Sequence, residues 1–135
     1  MKISRKKPPH FWLMKLLYKC DWGNTAFGFG DKIYAKYTLP VDLITHENTH
    51  CEQQRFSYLL AWVWLARYIV SRSFRYRMEL EAYQNQFAHY SAINPHQKYL
   101  FLDRIAKDLS GEMYGNLVTY AEAREKIQHG RKTKK

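Results

Sequence analysis

Residues 40–50 read Pro-Val-Asp-Leu-Ile-Thr-His-Glu-Asn-Thr-His. Pro40 and Asp42 are residues that favour the start of a helix, so we predict a helix through this stretch. On a helix, His46 and His50 differ by about 40° around the axis and lie one turn apart. Their imidazoles can therefore bind a single metal ion from the same face of the helix.

Glu47 completes an H-E-x-x-H pattern between the two histidines. It lies beside the metal-binding face, close enough to hold a metal-bound water without binding the ion itself. Zinc lowers the pKa of such a water, and a neighbouring carboxylate then accepts its proton as the water attacks a peptide carbonyl. The alternative interpretation is that two histidines at helical spacing flank an unrelated glutamate.

Two histidines leave a tetrahedral zinc ion one protein ligand short of a catalytic site, and we expect that ligand downstream. Glu79 lies 29 residues after His50, on a predicted helix that can pack back against the motif helix. Two histidines and a glutamate form a known catalytic ligand set that leaves one position for water, with one zinc ion per chain. Glu81 is the rival ligand, and it points about 200° away from Glu79 on the same helix.

The H-E-x-x-H pattern followed by Glu-Leu-Glu-Ala-Tyr at residues 79–83 resembles the gluzincin branch of zinc metallopeptidases, in a minimal form. The resemblance covers residues 26–90 and implies that His46, His50 and Glu79 bind zinc and that Glu47 is the general base. Gln53, three residues after the second histidine, resembles small bacterial and phage-type members of this group.

Two positions depart from the family pattern. Asn48 is polar where these families place an apolar residue, and Tyr83 replaces an aspartate four residues after the third ligand. Tyr83 can share a helix face with Glu79, where it either orients a ligand or approaches the bound water, or is simply a packed aromatic. Tyr114 and Tyr120 are further candidates to stabilise a transition-state oxyanion, although the sequence does not place them.

In residues 32–37, the side chains at odd positions (Ile, Ala, Tyr) point to one side and those at even positions (Lys, Tyr, Lys) to the other. This alternation predicts a half-exposed strand. Its lysines are typical of a sheet edge. In zincins, an edge strand runs beside the cleft and pairs with an extended peptide, and the resemblance implies this role for Ile33, Tyr34 and Ala35.

The rest of the chain predicts a mainly helical α+β fold. We expect one zincin-like domain over residues 8–130, a short edge strand or small sheet beside the motif helix, and basic flexible tails at 1–7 and 131–135. Residues 57–71 are apolar nearly all round, which predicts a buried helix. Asn94 is a predicted helix N-cap, and Thr119 with Glu122 forms a predicted capping box.

The chain has 135 residues with a formal net charge of +10, and 46% of its residues are hydrophobic. This composition excludes intrinsic disorder for most of the chain. Cys20 and Cys51 are too few for a disulfide framework, so we expect a reducing, cytoplasmic setting. Lys15 interrupts the apolar stretch near the start, which argues against a signal peptide, and we expect no transmembrane segment.

Two functions from different classes follow from these observations. The first is a zinc-dependent metallopeptidase or amide hydrolase acting on a peptide or protein substrate. The second is a basic protein that binds nucleic acid or a membrane surface and has a structural or inactive metal site. The basic tails suit an acidic partner or a polyanion. Arginines 67, 72, 75 and 77 surround a predicted turn next to Trp62 and Trp64, where they form either an interfacial membrane patch or a basic cap on a buried helix.

Overall fold

The computed structural model describes residues 2–129 of the chain. These residues form two compact units, one up to Leu65 and one from Ala66 onward. Helix α3 (Tyr58–Val70) runs from the first unit into the second. The predicted basic tail at 131–135 lies outside the described residues, and the prediction of a single domain over residues 8–130 stays a prediction.

The first unit combines a small sheet with two helices. Its elements in chain order are β1 (Lys2–Ser4), α1 (Phe11–Tyr18), β2 (Phe27–Phe29), β3 (Lys32–Tyr34) and α2 (Val41–Gln53). The strand order is β1-β3-β2, with β1 parallel and β2 antiparallel to β3. Gly30 has a φ of +66° in the tight turn between β2 and β3, a conformation that glycine adopts without strain.

The second unit is helical. Its elements are α4 (Arg72–Ala88), α5 (Pro95–Leu109), a short 3-10 helix (Glu112–Tyr114) and α6 (Tyr120–His129). Its core contains aromatic and aliphatic side chains from all four elements, including Tyr83, Leu102, Tyr114 and Ile127. The described structure is therefore mainly helical with one small mixed sheet, which confirms the predicted α+β class.

Several local predictions are confirmed by hydrogen bonds. The Asn94 side chain accepts a hydrogen bond from the backbone N–H of Gln97 at 2.8 Å and so caps α5. Thr119 and Glu122 form a reciprocal capping box, with distances of 3.0 and 3.1 Å. The cap of α4 was not predicted: the hydroxyl of Ser71 accepts a hydrogen bond from the backbone N–H of Phe74 at 3.1 Å.

Two strand predictions are wrong. Lys2–Ser4 form strand β1, so this part of residues 1–7 is not a flexible tail. Strand β3 is the central strand of the sheet, where we expected an edge, because β1 pairs with one of its sides and β2 with the other. Ile33, Tyr34 and Ala35 are accordingly buried. Strand β2 lies within residues 22–31, a stretch that contains three glycines.

Helix α3 also differs from the prediction of a helix buried on all sides. Ala61, Leu65 and Tyr68 are buried on one face, but Leu59 is 73% exposed and Val70 is 82% exposed. The helix therefore has an apolar face turned to solvent. None of the helices in residues 2–129 is long and apolar enough to cross a membrane.

Candidate metal centre

Helix α2 carries the H-E-x-x-H motif and is firmly attached to the sheet. It begins after Pro40 and includes all five residues of the motif, as the sequence predicts. His46, Glu47 and His50 are 5–7% exposed, so all three polar side chains lie out of solvent. The imidazoles of His46 and His50 have ring centroids 5.0 Å apart, which places them side by side on one helix face.

The orientation of His50 is set by its neighbour Gln53. Nδ1 of His50 lies 3.0 Å from Oε1 of Gln53. Because a carboxamide oxygen only accepts hydrogen bonds, this contact corresponds to a proton on Nδ1. A histidine that binds a metal commonly donates its other N–H in this way, which fixes both tautomer and ring orientation. The Trp64 ring packs on the same imidazole, with centroids 5.3 Å apart.

Glu47 is held by strand β2. Its Oε1 accepts a hydrogen bond from the backbone N–H of Gly28 at 3.0 Å. A Cβ atom at position 28 would lie only 2.2 Å from the carbonyl oxygen of Glu47, so the strand lies directly against the helix backbone. Tyr37 is another neighbour, since burial and then the Glu47 carboxylate raise the pKa of its phenol.

Gln54 makes a second connection between α2 and the sheet. Its side-chain amide donates to the carbonyl of Gly28 at 3.1 Å and accepts from the N–H of Gly30 at 2.6 Å. This amide is fully buried, and both of its polar atoms are paired. Together with the bond to Glu47, these contacts fix the height and rotation of the motif helix relative to strand β2.

Glu79 lies on α4 and is 5% exposed. Its Oε2 accepts a hydrogen bond of 2.6 Å from the hydroxyl of Tyr68, which leaves the carboxylate fixed in one orientation. Arg75 in turn fixes the backbone around Tyr68, because its guanidinium donates to the carbonyls of Tyr68, Ile69 and Met113.

Two more tyrosines surround the Glu79 carboxylate. Tyr114 is buried and is hydrogen-bonded to Tyr83, and burial followed by the Glu79 charge raises its pKa well above the usual range. The Tyr114 phenol therefore stays protonated and can donate a hydrogen bond. Tyr120 is placed elsewhere, since its hydroxyl donates to Asp103.

His46, His50 and Glu79 offer one ligand atom each, and these three atoms lie within 4.8 Å of one another. All three residues are buried, and the group does not include Glu81. Ligand atoms about 2.1 Å from one tetrahedral zinc ion are about 3.4 Å apart, so small side-chain rotations bring this set to binding distance. Two imidazoles and a carboxylate are also a donor set that zinc accepts.

The other predicted residues have simpler surroundings. Asn48 is only partly buried, and its side chain donates to Glu52 at 3.3 Å, which explains a polar residue at this position. Cys51 is a packed thiol, and burial raises its pKa to about 12. Ile33 and Tyr34 lie in a strand paired on both sides, so its backbone is not open to the extended substrate that the resemblance implies.

The sequence did not reveal the residues that hold the candidate ligands in place. Gly28, Gln54, Tyr68 and Arg75 act through contacts with residues 6 to 38 positions away. Of these residues, Gly28 has the clearest signal in the sequence, because an isolated glycine within an apolar stretch indicates a close approach of two backbones.

Comparisons of the chain with models of protein families, with curated proteins and with solved structures give no match.

Proposed function

We propose that this protein is a zinc-dependent hydrolase of peptide or other amide bonds. The observation that carries the proposal is the buried group of His46, His50 and Glu79, whose ligand atoms lie within 4.8 Å of one another. Two imidazoles and a carboxylate that converge in a buried site form a donor set that one metal ion can bind. We propose zinc, one ion per chain, because this donor set is typical of catalytic zinc sites.

Zinc, when bound, supplies a Lewis acid that polarises the amide carbonyl and lowers the pKa of water. Glu47 is the proposed general base, since it lies next to His46 on α2 and cannot share the helix face of both histidines. The N–H of Gly28 holds one oxygen of its carboxylate, which orients the group that would take the proton of the attacking water.

Tyr83, Tyr114 and Tyr37 are the proposed donors near the reacting carbonyl. Tyr83 and Tyr114 lie beside Glu79, and Tyr37 lies beside Glu47. The raised pKa values of Tyr37 and Tyr114 keep their hydroxyl protons in place at neutral pH, where they can stabilise a developing oxyanion.

The free thiols of Cys20 and Cys51 support a reducing, cytoplasmic setting for this activity.

The test of this proposal is the Glu47→Gln variant of the full chain. We expect it to bind zinc as the wild type does and to hydrolyse a quenched fluorescent peptide library about a hundredfold more slowly or worse, because the general base is lost. The matched control is Glu52→Gln, a change at an exposed glutamate of the same helix, which should retain activity. Loss of zinc from Glu47→Gln, or undiminished hydrolysis by it, would contradict the role of Glu47.

A further inference from the structure

The outward face of helix α3 is apolar. Leu59, Val63 and Val70 recur at helical spacing along one side of the helix, and they are 73%, 52% and 82% exposed. Contiguous exposed apolar surface is rare on monomeric soluble proteins, and it marks a site of contact with another protein or with a membrane. The opposite face carries Ala61, Leu65 and Tyr68, which are buried in the protein.

Buried rings of the first unit connect helix α3 with the residue that precedes helix α1. Phe29 of β2 packs against Tyr58 and Trp62 of α3, with ring centroids 5.6 and 5.1 Å apart. His10, at the start of α1, stacks on the same Phe29 ring at 4.3 Å. Helix α1 adds exposed apolar side chains of its own, with Trp12 65% and Leu16 71% exposed.

The stretch of sequence that contains helix α3 carries charge of one sign. Residues 53–78 contain five arginines and no aspartate or glutamate. Arg75 is buried, and the other four, Arg55, Arg67, Arg72 and Arg77, are exposed. The guanidinium groups of Arg67 and Arg77 lie 4.2 and 5.8 Å from the ring centre of Phe74, so two of these charges gather where α3 meets α4.

We propose that the outward face of α3 docks on the surface of an anionic phospholipid membrane. Leu59, Val63 and Val70 would enter the boundary between headgroups and acyl chains, and the exposed arginines would contact phosphate groups. Trp62 and Tyr58 suit this boundary because each has an apolar ring and a polar atom. An exposed apolar helix face with arginines close by in the chain complements the two layers of a lipid interface.

Two other occupants fit these observations less well. A symmetric dimer through this face would place the arginines of one copy near those of the other, with no acidic group within residues 53–78 to separate them. A nucleic acid would pair with the arginines and leave Leu59, Val63 and Val70 in water, since these aliphatic side chains offer phosphates nothing.

The experiment is flotation of the full chain with vesicles of phosphatidylcholine, with and without about one-third phosphatidylglycerol. We expect partitioning onto the anionic vesicles, weaker partitioning onto neutral ones, and a fall of about tenfold or more in the Leu59→Asp/Val63→Asp variant. The control is Ile93→Asp/Leu117→Asp, which changes two exposed apolar residues of the second unit. It should partition as the wild type does.

Circular dichroism checks that each variant is folded, and Val70→Asp provides a second, independent change on the same helix face. Equal flotation of the wild type and both α3 variants would overturn the proposal, as would absence of the wild type from anionic vesicles. A wild-type dimer in sedimentation that Leu59→Asp/Val63→Asp abolishes would overturn it in favour of a second copy. Retention on DNA that the same variant abolishes would overturn it in favour of nucleic acid.

Discussion

Tyr68 makes a direct hydrogen bond to one of the candidate metal ligands. Its hydroxyl donates to Glu79 at 2.6 Å in a buried setting, and its own backbone is fixed by Arg75. A carboxylate that receives such a bond keeps one orientation, so its second oxygen is positioned before a metal ion arrives. The sequence could not show this contact, because the two residues lie on different helices.

We therefore predict that Tyr68→Phe weakens zinc binding by about tenfold to a hundredfold, since the ligand loses its hydrogen-bonded partner. Zinc affinity measured by competition with a chelating dye tests this expectation. The matched control is Tyr76→Phe, because the buried Tyr76 hydroxyl has no hydrogen-bond partner among the described residues. Equal zinc affinity in Tyr68→Phe and the wild type would rule out a positioning role for the Tyr68 hydroxyl.

At the scale of the elements, the position of α2 on strand β2 depends on Gly28. The backbones approach so closely there that even one methyl group has no room, and the same approach allows the N–H of Gly28 to reach Glu47. The strand thus serves two purposes, since it supports the motif helix and also orients the candidate general base.

Gly28→Ala should force β2 away from α2 and lower the free energy of unfolding by about 1–3 kcal/mol or more. Urea unfolding followed by circular dichroism measures this change. Gly23→Ala is the control, because a Cβ atom there meets only the Asp21 carboxylate at 3.7 Å and has room. A Gly28→Ala protein as stable as Gly23→Ala would mean that the close approach is not required.

An element could be predicted from the sequence when the interactions that form it join residues close together in the chain. Helix α2, the Asn94 cap and the Thr119–Glu122 capping box follow from residues within one helical turn, and the sequence predicted them. The central position of β3 depends on pairing with Lys2–Ser4, about 30 residues earlier, and periodicity alone carries no such information. The alternation in residues 32–37 therefore suggested an edge strand where the sheet has its centre.

The candidate site divides in the same way. The spacing of His46 and His50 is a property of one helix, and the sequence identified the pair. The choice between Glu79 and Glu81 depended on the resemblance as much as on helix geometry, and the buried group that contains only Glu79 favours the same residue. The exposed face of α3 was misjudged because the apolar composition of a helix does not show which side the protein covers.

At the scale of the whole molecule, stability in acid should depend on His10. This residue is 4% exposed, and burial lowers its pKa from the usual 6.5 to about 4. The unfolded chain takes up the proton near pH 6.5 and the folded chain only near pH 4. Folding therefore carries no protonation cost above pH 6.5, and stability is lost as the pH falls from 6.5 towards 4, by about 3 kcal/mol at most.

His10→Phe preserves a ring against Phe29 and removes the titrating group. We expect the free energy of unfolding of this variant to fall less than that of the wild type between pH 6.5 and 4, with both measured in chelator. His96→Gln, at an exposed histidine, should follow the wild-type curve. Parallel curves for His10→Phe and the wild type would show that His10 does not cause the loss.

The proposed zinc centre can be tested by the zinc content of the purified chain. We predict one zinc ion per chain, measured by elemental analysis after saturation with zinc and removal of the excess. The ion should be lost in His46→Ala, in His50→Ala and in Glu79→Ala, and it should be retained in Glu81→Ala. A wild-type chain without zinc, or a Glu79→Ala chain that holds zinc as tightly as Glu81→Ala, would contradict the proposed centre.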